Sequence, residues 1–190
     1  MHLGLDISTS CTGVCLMDNA GKMLKIDFVD LKKCDNLWLK ADRLKSFMLQ
    51  FLSPKERESL TGIFVEQNLQ VFRRGLSSAA TLMTLAKFNG IACYILRQIF
   101  EIDPISLNVN EARKSVGLKV ISKKRGGKPT KEQVIDWVSI QLKGDDYIWP
   151  TKILKGGPRK GQQIILPECA DMADAYVICA AASHLYTAST

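Results

Sequence analysis

Histidine is nearly absent from this 190-residue chain: there are two, His2 and His184. None of the six cysteines, Cys11, Cys15, Cys34, Cys93, Cys169 and Cys179, forms a Cys-x-x-Cys pair. A zinc site built from nitrogen and sulfur is therefore not expected. Four of the six lie in apolar segments, where a reduced cysteine behaves as a small hydrophobe. That points to a reducing compartment, cytoplasmic or nucleoid-associated, inside a host cell if the source is a phage or virus. No signal-peptide pattern opens the chain and no apolar run looks long enough to span a bilayer, so neither secretion nor a membrane partner is expected. Internal repeats and low-complexity tracts are also missing. Acids are outnumbered, 19 against 26 lysines and arginines, for a net charge of +7 and a pI near 9.1. From Arg113 to Lys131 there is no acid at all. Such a balance favours a polyanionic partner.

Hydrophobic residues at 46% are enough for an ordinary core, and the length suits one domain over 1–190. Leu3 to Ile7 reads as a strand apolar on both faces, hence central. A small polar turn, Ser8 to Gly13, leads to strands at Val14–Met17 and Met23–Val29, an antiparallel meander. Asp35 is a candidate helix N-cap, before Leu37, Ala41, Leu44, Met48 and Phe51 at helical spacing. Ser53-Pro54 ends that helix. Thr61–Gln67 is a fourth strand, able to lie parallel to the first through the crossover. A long helix is expected over Ser77–Ile99, with Gly90 implying close packing at that point. Pro104–Val109 is a fifth strand. Thr130-Lys131-Glu132-Gln133 has the form of a capping box opening a helix to about Leu142. A basic loop around 117–130 precedes it. An irregular insertion around 144–167 follows it, with Lys152, Lys155, Arg159 and Lys160. The last helix starts near Glu168 and carries an apolar stripe of Val177, Ile178, Ala181, Ala182 and Leu185.

Four acids stand out against this background. Asp6 and Glu66 each sit within an apolar strand, where an unpaired acid costs several kcal/mol. Asp171 and Asp174, three residues apart, share one face of the last helix. Each has an ordinary reading alone: an edge-strand acid, or a first-turn acid favoured by the helix dipole. Together they suggest a shared divalent cation held by oxygen. Carboxylates gathered at one sheet edge can hold two Mg²⁺ ions about 4 Å apart, one activating water and one stabilising the leaving oxygen of a phosphodiester. The basic stretches would then hold the phosphate backbone.

The order of elements, with Gly4-Leu5-Asp6 and Gly13, Val65-Glu66, Ala170-Asp171-Met172-Ala173-Asp174-Ala175, and Gly127-Lys128-Pro129-Thr130-Lys131-Glu132-Gln133-Val134, resembles the RNase H-like nuclease fold. Within it the chain is most similar to the RuvC-type Holliday junction resolvases, over most of its length. The resemblance implies an α/β fold: a five-stranded mixed sheet, three antiparallel strands then two parallel, flanked by helices. It implies a homodimer that nicks four-way DNA junctions in symmetric pairs, formed largely through the long helix. It also implies Asp6, Glu66, Asp171 and Asp174 as catalytic metal ligands, with two Mg²⁺ per site and Mn²⁺ able to substitute. Phe72 matches an aromatic near the junction centre, beside Arg73 and Arg74. Lys128 and Lys131 match basic positions facing the scissile strand, with Lys123, Lys124 and Arg125 as further DNA contacts. Ile7-Ser8-Thr9 replaces the Pro-Gly common after the first aspartate in bacterial members, and the insertion is longer than expected; both point to a divergent phage, viral or organellar branch. Other readings are a general flap or fork nuclease, a non-catalytic DNA scaffold, and an actin-like or sugar-kinase-like ATPase. Asp6–Gly13 resembles the first phosphate loop of that last group, but the chain is short for two such subdomains.

Overall fold

The computed structural model describes residues 1–67, 78–145 and 147–186. In chain order these form β1 (His2–Ile7), β2 (Cys11–Met17), β3 (Met23–Asp30), α1 (Leu37–Phe51), α2 (Pro54–Glu58) and β4 (Gly62–Glu66). There follow α3 (Ala79–Phe100), β5 (Ile105–Leu107), α4 (Val109–Ser115), α5 (Thr130–Gln141), β6 (Thr151–Ile153), β7 (Gln163–Ile165) and α6 (Cys169–Tyr186). The main sheet has the order β3-β2-β1-β4-β5. β1–β2 and β2–β3 are antiparallel, whereas β1–β4 and β4–β5 are parallel. This is the mixed α/β sheet expected from the sequence.

Strand alternation divides the core in two. Leu3, Leu5, Ile7, Val14 and Leu16 face α1 and α3, packing with Leu44, Met48, Phe88, Ala92 and Leu96. Cys15, Met17 and Phe64 face the other way, toward α6, with Val134 and Val138 of α5 in the same cluster. α6 lies close on the sheet because β1 and β2 present glycines to it. A β-carbon on Gly4 would stand 2.6 Å from the Ala175 carbonyl oxygen, and one on Gly13 2.0 Å from that of Asp171. Of the expected α6 stripe, Val177, Ile178, Ala181 and Ala182 are buried, while Leu185 is 44% exposed.

Local expectations are corrected in several places. β2 begins at Cys11, so Gly13 is a strand residue opposite Asp6, and the turn shrinks to Ser8–Ser10. Asn36, not Asp35, caps α1, accepting from the amides of Trp38 and Leu39 at 3.0 Å each. Gly90 is not closely packed: a β-carbon there would meet nothing within 4 Å. Thr130 is the first helical residue of α5 rather than its cap, and Pro129 at the N-cap position supplies no side-chain bond. Gln133 turns instead to the preceding loop. Its Oε1 accepts from the Ile121 amide at 2.8 Å, and its Nε2 donates to the Ile121 and Lys128 carbonyls at 2.8 and 2.6 Å. The insertion around 144–167 is an antiparallel hairpin, β6–β7, separate from the main sheet. α3 is long and apolar enough, by length and composition alone, to cross a bilayer, contrary to the expectation that no run is. Its buried residues are Phe88, Asn89, Ala92 and Leu96, none of them in the first nine positions, Ala79 to Lys87.

The true capping box lies at α2. Ser53 Oγ accepts from the Glu56 amide, and the Glu56 carboxylate accepts from the Ser53 amide at 2.7 Å. Glu56 also pairs with Lys25 Nζ at 2.7 Å. The Lys25 bond, reinforced by Ser53, holds the Glu56 carboxyl down to about 2, against an ordinary 4.5. A depressed acid adds stability above its unfolded-state pKa, and that stability is lost as pH falls toward the folded value. Glu56→Gln keeps an acceptor for the Ser53 amide but loses the charge paired with Lys25, and is therefore expected to lower stability at pH 7 by up to about 1 kcal/mol. Thermal melts should show the gap closing between pH 4.5 and about 2.

Candidate active site

The site forms at the carboxyl ends of two adjacent parallel strands, the usual place for ligands in such sheets. The β1–β4 register, running from His2↔Gly62 to Leu5↔Val65, leaves Asp6 and Glu66 next in line on neighbouring strands. By the two-residue alternation of a strand, Asp6 shares the face of Gly4 and Glu66 that of Phe64, the face covered by α6. α6 brings Asp171 and Asp174 on its first two turns to the same edge. Glycine at position 13, opposite Asp6, is what allows the Asp171 backbone to approach so closely.

The four carboxylates feel one another. Asp6 keeps a partial opening to solvent but sits deep in the protein. Burial raises its carboxyl well above the ordinary value, helped by the charges of Glu66, Asp174 and Asp171 and by a hydrogen bond to Glu66. Burial also raises Glu66, with Asp174 adding to it and Arg113 opposing. Asp174, 8% exposed, is raised by burial even though Arg113 pulls the other way. The cluster is thus an excess of negative charge held out of water, which favours protons or a cation.

Two basic side chains answer part of that charge. Arg113 of α4 donates from Nη2 to Asp174 Oδ1 at 2.9 Å. Its Nε is buried without a hydrogen-bond partner. Lys131, at the start of α5, donates to Asp171 Oδ1 at 3.2 Å. Burial opposes the charge on Lys131, but Asp171 and the other acids raise its pKa overall. Glu168, just before α6, pairs with Lys32. Among the described residues no three His, Cys, Asp or Glu side chains converge closely enough to hold a metal ion as they stand. The donor chemistry nevertheless fits a hard cation: four carboxylates, mutually repelling, with two of them turned to a guanidinium and an ammonium.

No protein-family model matches the chain, and no curated protein matches it in sequence. Solved structures do. The Thermus thermophilus RuvC structure superposes with a TM-score of 0.56 at 17% identity, covering 100% of this chain and 96% of that one. T. thermophilus RuvC in complex with a Holliday junction substrate gives 0.57 at 13% identity, covering 98% and 96%. Fowlpox virus resolvase with its substrate Holliday junction DNA gives 0.45 at 14%, covering 96% and 95%. The chain has the RuvC fold.

Within this RuvC fold the structure gathers Asp6, Glu66, Asp171, Asp174 and Lys131 at one edge. The other sequence candidates stand apart. Lys128 pairs with Asp136 at 2.8 Å, both more than half exposed. Lys123, Lys124 and Arg125 form an exposed 3₁₀ turn. Phe72, Arg73 and Arg74 lie outside the described residues. Arg113 is the site residue that sequence reasoning misses, taking it only as one of a basic run. The signal was Asn108-x-x-Glu111, a helix-start pattern; Asn108 Oδ1 does cap α4, accepting from Asn110 and Glu111.

Proposed function

We propose that this protein is a Mg²⁺-dependent endonuclease that resolves four-way DNA junctions. The observation that carries the reading is the convergence of Asp6, Glu66, Asp171 and Asp174 at the carboxyl ends of β1 and β4 in a RuvC fold. The T. thermophilus RuvC of matching fold was solved with a Holliday junction substrate, which supports branched DNA as the substrate class here. Asp6, Glu66, Asp171 and Asp174 would hold the metal. A Mg²⁺ held there would supply Lewis-acid chemistry, activating a water and stabilising charge on the leaving oxygen. Arg113 and Lys131 hold Asp174 and Asp171 while the site carries no cation, and turn to the scissile phosphate when it does. The exposed cations of the 3₁₀ turn, Lys123 to Arg125, bind the backbone nearby.

Paired cuts need two centres, which a two-fold dimer supplies. The face for it is α3. Its first nine residues, Ala79 to Lys87, bury none of their side chains, and Met83 and Tyr94 are 61% and 63% exposed. The ATPase reading is not adopted. Cys11 to Gly13 belong to a strand, and Ser8 Oγ already accepts from the amides of Ser10 and Cys11, leaving no open phosphate loop.

The test is cleavage with Mg²⁺ of a labelled immobile four-way junction, a flap and a linear duplex. Paired symmetric nicks on the junction are expected, lost on chelation and absent from Asp174→Asn. Equal nicking of every branched form would move the role to general branch processing. No cutting of any substrate with Mg²⁺ or Mn²⁺ would overturn the reading.

A further inference from the structure

The hairpin β6–β7 is absorbed by none of the roles above. From Thr151 to Pro167 it carries Lys152, Lys155, Arg159 and Lys160 and no acid. All four cations are exposed, and none has an ion-pair partner among the described residues. A solvated surface usually intersperses both signs; this ribbon does not.

The ribbon is also built rather than loose. Thr151↔Ile165, Lys152↔Ile164 and Ile153↔Gln163 form its ladder. Leu154 donates to the Gln162 carbonyl at 3.0 Å, and Gly161 to the Leu154 carbonyl at 2.9 Å, extending the pairing toward the tip. Gly157 and Gly161, at φ of 75° and 85°, make the turns. Its base is fixed in the α6-side core. The Leu166 amide donates to the Pro150 carbonyl at 2.9 Å, and Trp149 Nε1 donates to Ser139 Oγ of α5 at 2.8 Å.

That base adjoins the candidate site. Ile165 and Leu166 share the wall of a cavity of about 400 Å³ with Lys131, Ile135 and Ala170. Lys131 is the residue bonded to Asp171. From Thr151 to the turn at Gly157 the ribbon reaches at most about 20 Å from the base, the span of a few duplex phosphates. A two-stranded ribbon is one of the shapes that a duplex groove admits.

We propose that the β6–β7 hairpin is a second DNA-binding element, gripping the phosphate backbone of a duplex arm beside the candidate active site. It rests on the nuclease reading and adds to it an arm contact independent of the metal. The contact is sequence-neutral in its main part, since the cations meet phosphates, the ribbon carries no aromatic, and the Gln163 amide already donates to Thr151 Oγ1 at 2.7 Å.

The experiment measures fluorescence anisotropy of a labelled four-way junction, with Ca²⁺ replacing Mg²⁺, over a salt series. Lys155→Ala/Arg159→Ala/Lys160→Ala should raise Kd about tenfold or more near 0.15 M salt and lower the salt slope by about 2 to 3. Lys22→Ala/Lys45→Ala/Lys55→Ala removes the same charge from exposed sites away from the hairpin and should stay within about twofold of the parent. Lys155→Arg/Lys160→Arg keeps the charge and should keep the affinity, which guards against a folding defect in the alanine variant. Parent-like affinity and slope in the hairpin triple variant, or an equal loss in the matched control, would overturn the proposal. If the parent cuts junctions while the hairpin variant binds normally, only the hairpin assignment falls. If the parent neither binds nor cuts DNA, both readings fall.

Discussion

Replacing Asp6 by Asn is expected to abolish Mg²⁺-dependent junction cleavage and, at the same time, to raise the melting temperature of the metal-free protein. The two effects share one cause. Burial first, and then the charges of Glu66, Asp174 and Asp171, lift the pKa of Asp6 well above 3.8. A raised acid binds more protons folded than unfolded, so stability falls as pH rises from about 3.8 through the folded value. The charge that Asp6 acquires as pH rises is therefore a burden on the metal-free fold. Asn removes the charge and keeps a donor toward Glu66, imitating the protonated acid. The gain should shrink as pH falls toward about 3.8, since only below that value is Asp6 protonated in both folded and unfolded chains. Mg²⁺ reverses the ranking: it binds the folded parent and stabilises it by mass action, with little effect on the variant.

Activity should fall by at least about 10³-fold, since metal stabilisation of developing charge is worth several kcal/mol and each 1.4 kcal/mol is a factor of ten. Melting curves at pH 4 to 8, with chelator and with Mg²⁺, check the first half; the junction assay checks the second. A variant that melts below the parent at pH 7 in chelator would remove the repulsion account. A variant that still cuts would remove Asp6 from the site. Asp6 is the cleaner probe than Asp174, because Asp174→Asn also weakens the 2.9 Å ion pair with Arg113 and so mixes two changes.

Why Asp6 could be picked out before any coordinates explains how far the sequence was legible. An acid flanked by Leu5 and Ile7 contradicts its neighbours, and such contradictions mark sites. The sheet was legible for a similar reason: β1 to β4 are long enough for alternation and turn chemistry to show. β5, three residues long, still falls within the strand expected at Pro104–Val109, whereas α4 with seven residues and β6 and β7 with three each are too short for periodicity to separate from chance. Competing uses of one residue hid other features. Gln133 fits a capping box in sequence, yet its amide is spent on Ile121 and Lys128. Ser53-Pro54 does stop α1, but with Glu56 it also starts α2, which sequence reasoning misses. Arg113 meets Asp174 across 61 residues, a contact that no local pattern encodes.

Gly13→Ala should be the most damaging single-methyl change in the chain. Its β-carbon would lie 2.0 Å from the Asp171 carbonyl oxygen, 2.3 Å from the carbonyl carbon and 2.7 Å from the Met172 nitrogen. These are backbone atoms of a buried helix, so no side chain can swing aside. Either β2 leaves its register with β1 or α6 lifts from the sheet. Ordinary overpacking costs about 1–3 kcal/mol; with no flexible neighbour to yield, the cost here should reach about 3 kcal/mol or more. Lifting α6 also carries Asp171 and Asp174 away from Asp6 and Glu66, and a misplacement near 1 Å can cost about a hundredfold in rate. Gly90→Ala is the contrast, since its β-carbon meets nothing within 4 Å on an exposed helix position. It should add up to about 1 kcal/mol to the stability of the chain from helix propensity alone and leave the four carboxylates in place. Urea unfolding and junction cleavage on the two variants separate a glycine kept for close approach from one that merely occupies a helix. Parent-like unfolding and cutting by Gly13→Ala would mean that α6 has room to move. The tight seating of α6 would then not be what holds the four carboxylates together.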